Sequence, residues 1–125
     1  MPATILIVDD SKILRTMVRD ALEADQHRVV EAADAGAALH SVDMMPPDLV
    51  ITDVNMPDTD GITLVRALRE RPRERFIPIL VLTTEAGDEM KQRGRAAGAT
   101  GWLVKPFDPA RLRETVRRVL KPRPA

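Results

Sequence analysis

The sequence predicts an α/β fold in which a five-stranded parallel sheet lies between two layers of helices. Short apolar runs alternate five times with segments whose apolar residues recur at helical spacing, which indicates a (βα)5 order. These runs are continuously apolar, as is typical of strands buried on both faces of a doubly wound parallel sheet. The carboxyl ends of all five strands should then meet at one edge, where open α/β sheets bind ligands.

The strands are predicted from their apolar runs and from the turn residues that bound them. In chain order they are ILIV at residues 5–8, VV at 29–30, LVIT at 49–52, ILVL at 79–82 and WLV at 102–104. The second run is the shortest, so it predicts a weaker strand than the others.

The first three helices are predicted from spacing and from their boundary residues. The first follows Ser11, a favoured N-cap, and has apolar residues at positions 13, 14, 17, 18, 21 and 22. The second covers about residues 35–42 and ends before two prolines at 46–47. The third contains Ile62, Val65 and Leu68 and ends before Pro72.

The last two helices differ in their predicted stability. A fourth helix is predicted over residues 87–98, a segment that contains three glycines, and a glycine costs up to ~1 kcal/mol relative to alanine inside a helix. We therefore expect it to be the least stable helix. Asp108 and Pro109 begin the fifth helix.

We expect one domain over residues 1–121 and a short tail at 122–125.

Composition favours a single globular domain and excludes some functions. The chain has 125 residues, 44% of them hydrophobic, which suffices for one core. It has no cysteine, which excludes disulfides, cysteine nucleophiles and thiolate metal sites. We see neither a signal peptide nor an apolar run of ~18 residues, and we therefore expect a soluble, cytoplasmic protein.

The charges are distributed unevenly although the net charge is zero. Residues 1–60 carry four basic and twelve acidic side chains, whereas residues 61–125 carry fifteen and seven. A basic half can indicate nucleic acid binding, but aromatic residues for base stacking make up only 2% of the chain. We expect no nucleic acid and no membrane partner. The arginines of the last helix then contact water or an acidic protein: Arg111, Arg113, Arg117 and Arg118.

Polar side chains follow the predicted strands at the edge where ligands are expected. Asp9 and Asp10 follow the first strand, Asp53 the third, Thr83 the fourth and Lys105 the fifth. Each alone is often a turn, cap or solvated residue, but together they indicate a site. Three adjacent carboxylates repel one another and require a cation, and an all-oxygen site suits Mg²⁺ better than zinc.

Such a site suits phosphoryl transfer. With the negative charge neutralised, a carboxylate can attack phosphorus and form an aspartyl-phosphate. Asp53 is the best nucleophile candidate because it stands alone at the end of the third strand. The metal and Lys105 would stabilise charge on the phosphoryl oxygens, and the Thr83 hydroxyl could donate a hydrogen bond to one of them.

At these residues the chain resembles the receiver domain of two-component response regulators, in particular the single-domain chemotaxis (CheY-type) kind. The matching motifs, in order, are IVDDS at 7–11, TDVNMPDTDG at 52–61, LTTE at 82–85 and VKPF at 104–107. The resemblance covers about residues 5–120. It implies the flavodoxin-like receiver fold and a signalling switch, rather than an enzyme, whose chemistry is its own phosphorylation and dephosphorylation.

The resemblance also implies roles for individual residues around the acidic cluster. Asp53 is the phosphoacceptor, and Mg²⁺ is bound by Asp10, Asp53 and the backbone carbonyl of Asn55, while Asp9 acts mostly through a bound water. Lys105 pairs with Asp53 or its phosphate. The bond between Lys105 and Pro106 is expected to be cis.

Thr83 and Trp102 correspond to the switch pair of such domains. Phosphorylation is expected to turn the Thr83 hydroxyl towards the phosphate, after which the aromatic ring moves inward and remodels the surface of the fourth helix, fifth strand and fifth helix. The family usually has Tyr or Phe at this position, so Trp102 is a departure. Asn55 and Glu85 correspond to residues that tune dephosphorylation, and they predict a short-lived phosphate.

The implied partners are a CheA-type sensor histidine kinase and a downstream protein such as a flagellar motor switch, with the chain itself a monomer. A phosphate sink or a phosphorelay intermediate would share the same sequence features. A magnesium-dependent phosphohydrolase is disfavoured because Asn55 stands where that class has a second acid, two residues after Asp53. A phosphate-independent adaptor is disfavoured because every acidic and lysine position is present.

Overall fold

The computed structural model describes residues 2–54, 56, 60–84 and 88–120. The predictions for Asn55, Glu85, Gly87 and the tail at 122–125 fall outside these residues. The elements alternate strictly: β1 (Thr4–Val8), α1 (Lys12–Glu23), β2 (Arg28–Ala32), α2 (Ala35–Met44), β3 (Leu49–Asp53), α3 (Gly61–Arg69), β4 (Ile79–Thr83), α4 (Asp88–Ala97), β5 (Gly101–Val104) and α5 (Pro109–Leu120).

The strands form one parallel sheet in the order β2-β1-β3-β4-β5, with an apolar cluster on each face. One cluster packs α2, α3 and α4 on the sheet, and the other packs α1 and α5. Along β1, Ile5 and Ile7 enter one cluster while Leu6 and Val8 enter the other. The continuous apolar runs thus reflect burial on both faces, and the predicted doubly wound fold is confirmed.

The first helix begins where the sequence predicts it, but its apolar positions are only partly buried. Ser11 Oγ accepts a hydrogen bond from Leu14 N and caps the helix. Ile13 and Met17, however, are 77% and 47% exposed. At 100° per residue they lie beside, and not within, the stripe formed by positions 14, 18, 21 and 22.

The fourth helix corrects a prediction about glycine. Within α4 itself only Gly94 is a glycine, and Gly98 follows the helix with φ 109°. Ala99 N donates to Gly94 O at 2.9 Å and Gly98 N donates to Arg95 O at 3.0 Å, which is a Schellman cap. Counting Gly98 among the residues that weaken the helix was therefore wrong, because it caps the helix.

No helix in the described part of the chain combines the length and apolar character that a membrane crossing requires.

Candidate functional site

Three carboxylates meet at the carboxyl edge of the sheet. Asp9 directly follows β1 and Asp53 ends β3, so both are buried, at 1% and 4% exposure, whereas Asp10 is exposed. One oxygen from each of the three side chains lies within 4.8 Å of the other two. The cluster predicted from the strand ends is therefore present.

Lys105 completes this cluster with a cation. Its Nζ lies 3.1 Å from Asp53 Oδ1 and 3.1 Å from Asp9 Oδ2. The backbone N–H of Lys105 donates to Thr83 O at 2.7 Å, which ties the residue to the end of β4. The peptide bond between Lys105 and Pro106 is cis, as the resemblance implied.

Burial and the hydrogen bonds with neighbouring groups shift the pKa values of Asp9 and Lys105 in opposite directions. Burial raises the pKa of Asp9, and the negative charge of Asp53 adds to this, while hydrogen bonds from Ser11 N and Lys105 oppose it. Burial by itself lowers the pKa of Lys105, but its hydrogen bonds to Asp53 and Asp9 outweigh burial, and the pKa is raised. The ammonium group is thus charged at neutral pH and can balance only one of the three carboxylates.

The remaining negative charge and the donor set fit a magnesium ion. Three carboxylate oxygens in close proximity, one of them from an exposed residue that leaves room for water, form the all-oxygen environment that Mg²⁺ prefers. Asp9, Asp10 and Asp53 would hold the ion. The further ligand expected from Asn55 lies outside the described residues.

The two residues of the expected switch pair lie on the same face of the sheet. Thr83 ends β4 and is fully buried. Trp102 pairs in register with Val81, and Thr83 pairs with Val104. Side chains two residues apart on a strand share a face, so Thr83 lies on the same face of the sheet as Val81. Trp102 is the partner of Val81 on the neighbouring strand, and its indole therefore lies on that face too.

Two residues that sequence reasoning missed hold the site in place. Arg15 Nη1 donates to Asp9 O at 2.6 Å, and Arg15 Nε lies 2.9 Å from Glu31 Oε1. Gly61 begins α3, and a Cβ placed on it would lie 2.0 Å from Asp53 O. In the sequence, nothing distinguishes Arg15 from the other polar residues of an amphipathic helix. Gly61 was visible in the sequence only as a turn residue.

A parallel α/β sheet with an acidic cluster and a lysine at its carboxyl edge defines the class of the protein as a receiver-type signalling domain. The chain belongs to the response regulator receiver domain family, whose sequence model matches residues 5–117. It is therefore the receiver domain of a two-component response regulator. Domains of this family bind Mg²⁺ in an acidic pocket and interact with histidine kinases and downstream effectors.

Solved structures and curated proteins agree with this assignment. The chemotaxis response regulator CheY4 of Vibrio cholerae is 46% identical, with a TM-score of 0.91, over 95% of this chain and 99% of that one. A gliding motility regulatory protein of Myxococcus xanthus is 42% identical over 81% of this chain. The phosphate regulon transcriptional regulatory protein PhoB of Escherichia coli is 33% identical over 95% of it. The matches span 13% and 54% of these two relatives, respectively.

Proposed function

We propose that the protein accepts a phosphoryl group on Asp53 in a magnesium-dependent reaction and passes the signal to a partner protein. The observation that carries this proposal is the pairing of a buried Asp53 with Lys105 at 3.1 Å beside two further carboxylates. A buried carboxylate with a nearby ammonium and an uncompensated acidic cluster is suited to covalent phosphoryl transfer.

In this mechanism an Asp53 carboxylate oxygen attacks the phosphorus of a phosphohistidine on a CheA-type sensor kinase. The P–N bond of the donor breaks as the P–O bond to Asp53 forms. Asp9, Asp10 and Asp53 would hold the magnesium ion, which would neutralise charge on the carboxylates and the phosphoryl oxygens. Lys105, already within hydrogen-bonding distance of Asp53, can transfer its bond to a phosphoryl oxygen.

The proposed output surface is the one formed by α4, β5 and α5. It contains a cavity of about 500 Å³ that is lined by two cations, Lys91 and Arg111, by one carboxylate, Asp108, and by the apolar Val104 and Phe107. This lining suits an acidic, amphipathic segment of a partner. The similarity to CheY4 and to a gliding motility regulator favours a role in motility, with a flagellar motor switch as the type of partner.

The proposal also assigns the switch residues and the residues that control dephosphorylation. Thr83 and Trp102 relay phosphorylation to the output surface, and Asn55 and Glu85 set the lifetime of the phosphate. The domain spans residues 1–121 and acts as a monomer in the cytoplasm. A phosphate sink and a relay intermediate would use the same site, and they differ in whether a downstream target binds.

The test is the intact mass of the protein after incubation with acetyl phosphate, with and without Mg²⁺. The proposal expects a phosphoryl adduct that requires Mg²⁺ and is absent from Asp53→Asn. Asp48→Asn is a matched control, because Asp48 accepts a hydrogen bond from Thr4 N at the start of β1, far from the acidic cluster. An adduct in Asp53→Asn, or none in the folded wild type, would overturn the proposal. Turnover of a generic phosphate ester would instead support a phosphohydrolase.

A further inference from the structure

The indole of Trp102 occupies the place where a side chain at position 94 would otherwise lie. A Cβ built on Gly94 would be 2.4 Å from Trp102 Cζ3 and 3.1 Å from Trp102 Cε3. Unbonded carbon atoms prefer a separation of about 3.5–4.0 Å, so the indole in this position excludes any residue larger than glycine. The next neighbour, Ile62 Cδ1, would be at 3.6 Å, an ordinary contact. The constraint thus comes from Trp102.

The same indole has an unsatisfied polar group. Trp102 Nε1 is buried and has no hydrogen-bond partner among the residues that the structure describes. A buried indole N–H ordinarily has a hydrogen-bond partner. Burying the N–H without one costs free energy, because its hydrogen bond to water is lost. Packing against α4 therefore stabilises the inward position of Trp102, whereas its unpaired N–H destabilises that position.

Space for a second position lies next to the ring. The output-surface cavity of about 500 Å³ is lined by Trp102 itself and by the exposed side chains of Lys91 and Arg111. A second cavity of about 90 Å³, lined by Arg95 and Thr100, also borders Trp102. An indole turned into the larger cavity would regain water for its N–H, and it would also fill the space proposed for the partner.

We propose that Gly94 determines the position of Trp102 and thereby whether the output-surface cavity is open. The missing side chain of Gly94 forms a recess that holds the indole inward, while the unsatisfied N–H favours the outward position. These opposing contributions keep the two positions close in free energy, so a small input can change their populations. That phosphorylation supplies this input rests on the proposed function. The recess itself does not depend on it.

The first experiment uses Trp102 as a probe, since it is the only tryptophan in the chain. Gly94→Ala places a methyl group in the recess, and we expect a longer-wavelength emission and stronger quenching by acrylamide, without Mg²⁺ or a phosphoryl donor. Gly36→Ala is the matched control. Gly36 also lies in a helix, but a Cβ there would meet only Asp34 Oδ1, at 3.5 Å. The control should leave the fluorescence unchanged.

A double-mutant comparison keeps the proposal testable if Gly94→Ala folds poorly. Alanine is the better helix former, so without the indole Gly94→Ala should raise the Tm by about 3–5 °C. We expect the full increase in a Trp102→Leu background and a smaller change in the wild-type background, where the indole must leave the recess. An equal increase in both backgrounds, with unchanged fluorescence, would overturn the proposed recess.

The regulatory part is tested separately from the phosphorylation itself. With acetyl phosphate and Mg²⁺, both the wild type and Gly94→Ala should gain the phosphoryl adduct, but the Trp102 fluorescence response should be smaller in the variant. Equal adducts with equal fluorescence responses would overturn the regulatory role of Gly94 while leaving the proposed function intact. Absence of the adduct from both proteins would overturn the proposed function, and with it the link to phosphorylation, but not the recess.

Discussion

Arg15 donates a hydrogen bond to the backbone carbonyl oxygen of Asp9 and forms an ion pair with Glu31, and so joins α1 and β2 to the first residue of the acidic cluster. Its side chain is only 14% exposed. The bond to Asp9 fixes the backbone from which the side chains of both Asp9 and Asp10 project. Arg15 is therefore a positioning residue for the proposed metal ligands.

The first prediction is that Arg15→Gln lowers Mg²⁺ affinity about tenfold, as is typical when a residue that orients metal ligands is lost. Isothermal titration calorimetry would measure it. Arg19→Gln is the matched control, because Arg19 Nη1 lies 3.0 Å from the other oxygen of Glu31. Loss of Arg19 should affect stability but leave Mg²⁺ affinity near that of the wild type. Equal losses of affinity in the two variants would contradict the positioning role.

The second prediction concerns repulsion within the acidic cluster. Without Mg²⁺, Asp10→Asn should stabilise the protein by about 1 kcal/mol, the size of the repulsion between unit charges ~5 Å apart in water. Excess Mg²⁺ should reverse the order of stability, because a ligand that binds only the folded state adds about 2.7 kcal/mol at 100 times its Kd. Urea unfolding with and without Mg²⁺ would measure both effects.

The control for this prediction is Asp20→Asn, which removes an exposed carboxylate on α1 that is not part of the cluster. It should respond to Mg²⁺ as the wild type does. If Asp10→Asn keeps the full stabilisation by Mg²⁺, Asp10 is not a metal ligand.

The parallel sheet and the acidic cluster could be predicted because both follow from local patterns in the sequence. Once the strands are known to be parallel, Asp9, Asp53 and Lys105 must meet at one edge, whatever the details of packing. Helix spacing likewise located α1, although it could not show that Ile13 and Met17 lie beside its buried stripe.

Contacts between distant residues could not be predicted in this way. Arg69 lies in an arginine-rich segment, and nothing in its spacing distinguishes it from the neighbouring arginines. In the structure its Nη1 donates to the backbone oxygens of Glu74, Arg75 and Ile77, and its Nε donates to Gly98 O. The fit of Gly94 to Trp102 depends on how α4 packs on β5. Helix propensity treats each glycine by itself, so it could distinguish neither Gly94 as a recess nor Gly98 as a cap.

The third prediction is that Gly61→Ala destabilises the protein by about 1–3 kcal/mol, the usual cost of overpacking. The added methyl group would collide with the backbone of Asp53, and Gly61 N also donates to Val54 O at 2.8 Å, so the start of α3 has little freedom to retreat. Phosphorylation by acetyl phosphate should slow as well, because Asp53 would be displaced. Unfolding experiments and the time course of the intact mass would measure the two effects.

Gly36→Ala serves as the reference for this variant, because it adds a methyl group to an exposed helical glycine whose Cβ would make only an ordinary contact, 3.5 Å from Asp34 Oδ1. It should stabilise the protein by up to about 1 kcal/mol through helix propensity. A Gly61→Ala variant that is as stable as this reference would show that α3 can move away from Asp53 without cost.

The fourth prediction is a pH dependence that originates at His27. Burial lowers the pKa of His27 below its ordinary value of 6.5, with the charge of Asp25 opposing the effect. Its Nδ1 accepts a hydrogen bond from Ala3 N at 3.1 Å, and protonation of Nδ1 would break that bond. Between the lowered pKa and 6.5 the unfolded chain therefore binds more protons than the folded protein.

The contribution of His27 to the free energy of unfolding should accordingly be constant above pH 6.5. It should fall as the pH drops from 6.5 towards the lowered pKa. The slope for one proton is at most about 1.4 kcal/mol per pH unit. Urea unfolding between about pH 7.5 and 5.5, compared between the wild type and His27→Gln, would measure the effect, because carboxylates such as Asp9, whose pKa is raised by burial, contribute to both proteins alike. His27→Gln should remove the part of the slope that comes from His27, since an amide oxygen can still accept from Ala3 N and does not titrate. His40→Gln, at an exposed histidine, should keep the wild-type slope, and an unchanged slope in His27→Gln would place its origin elsewhere.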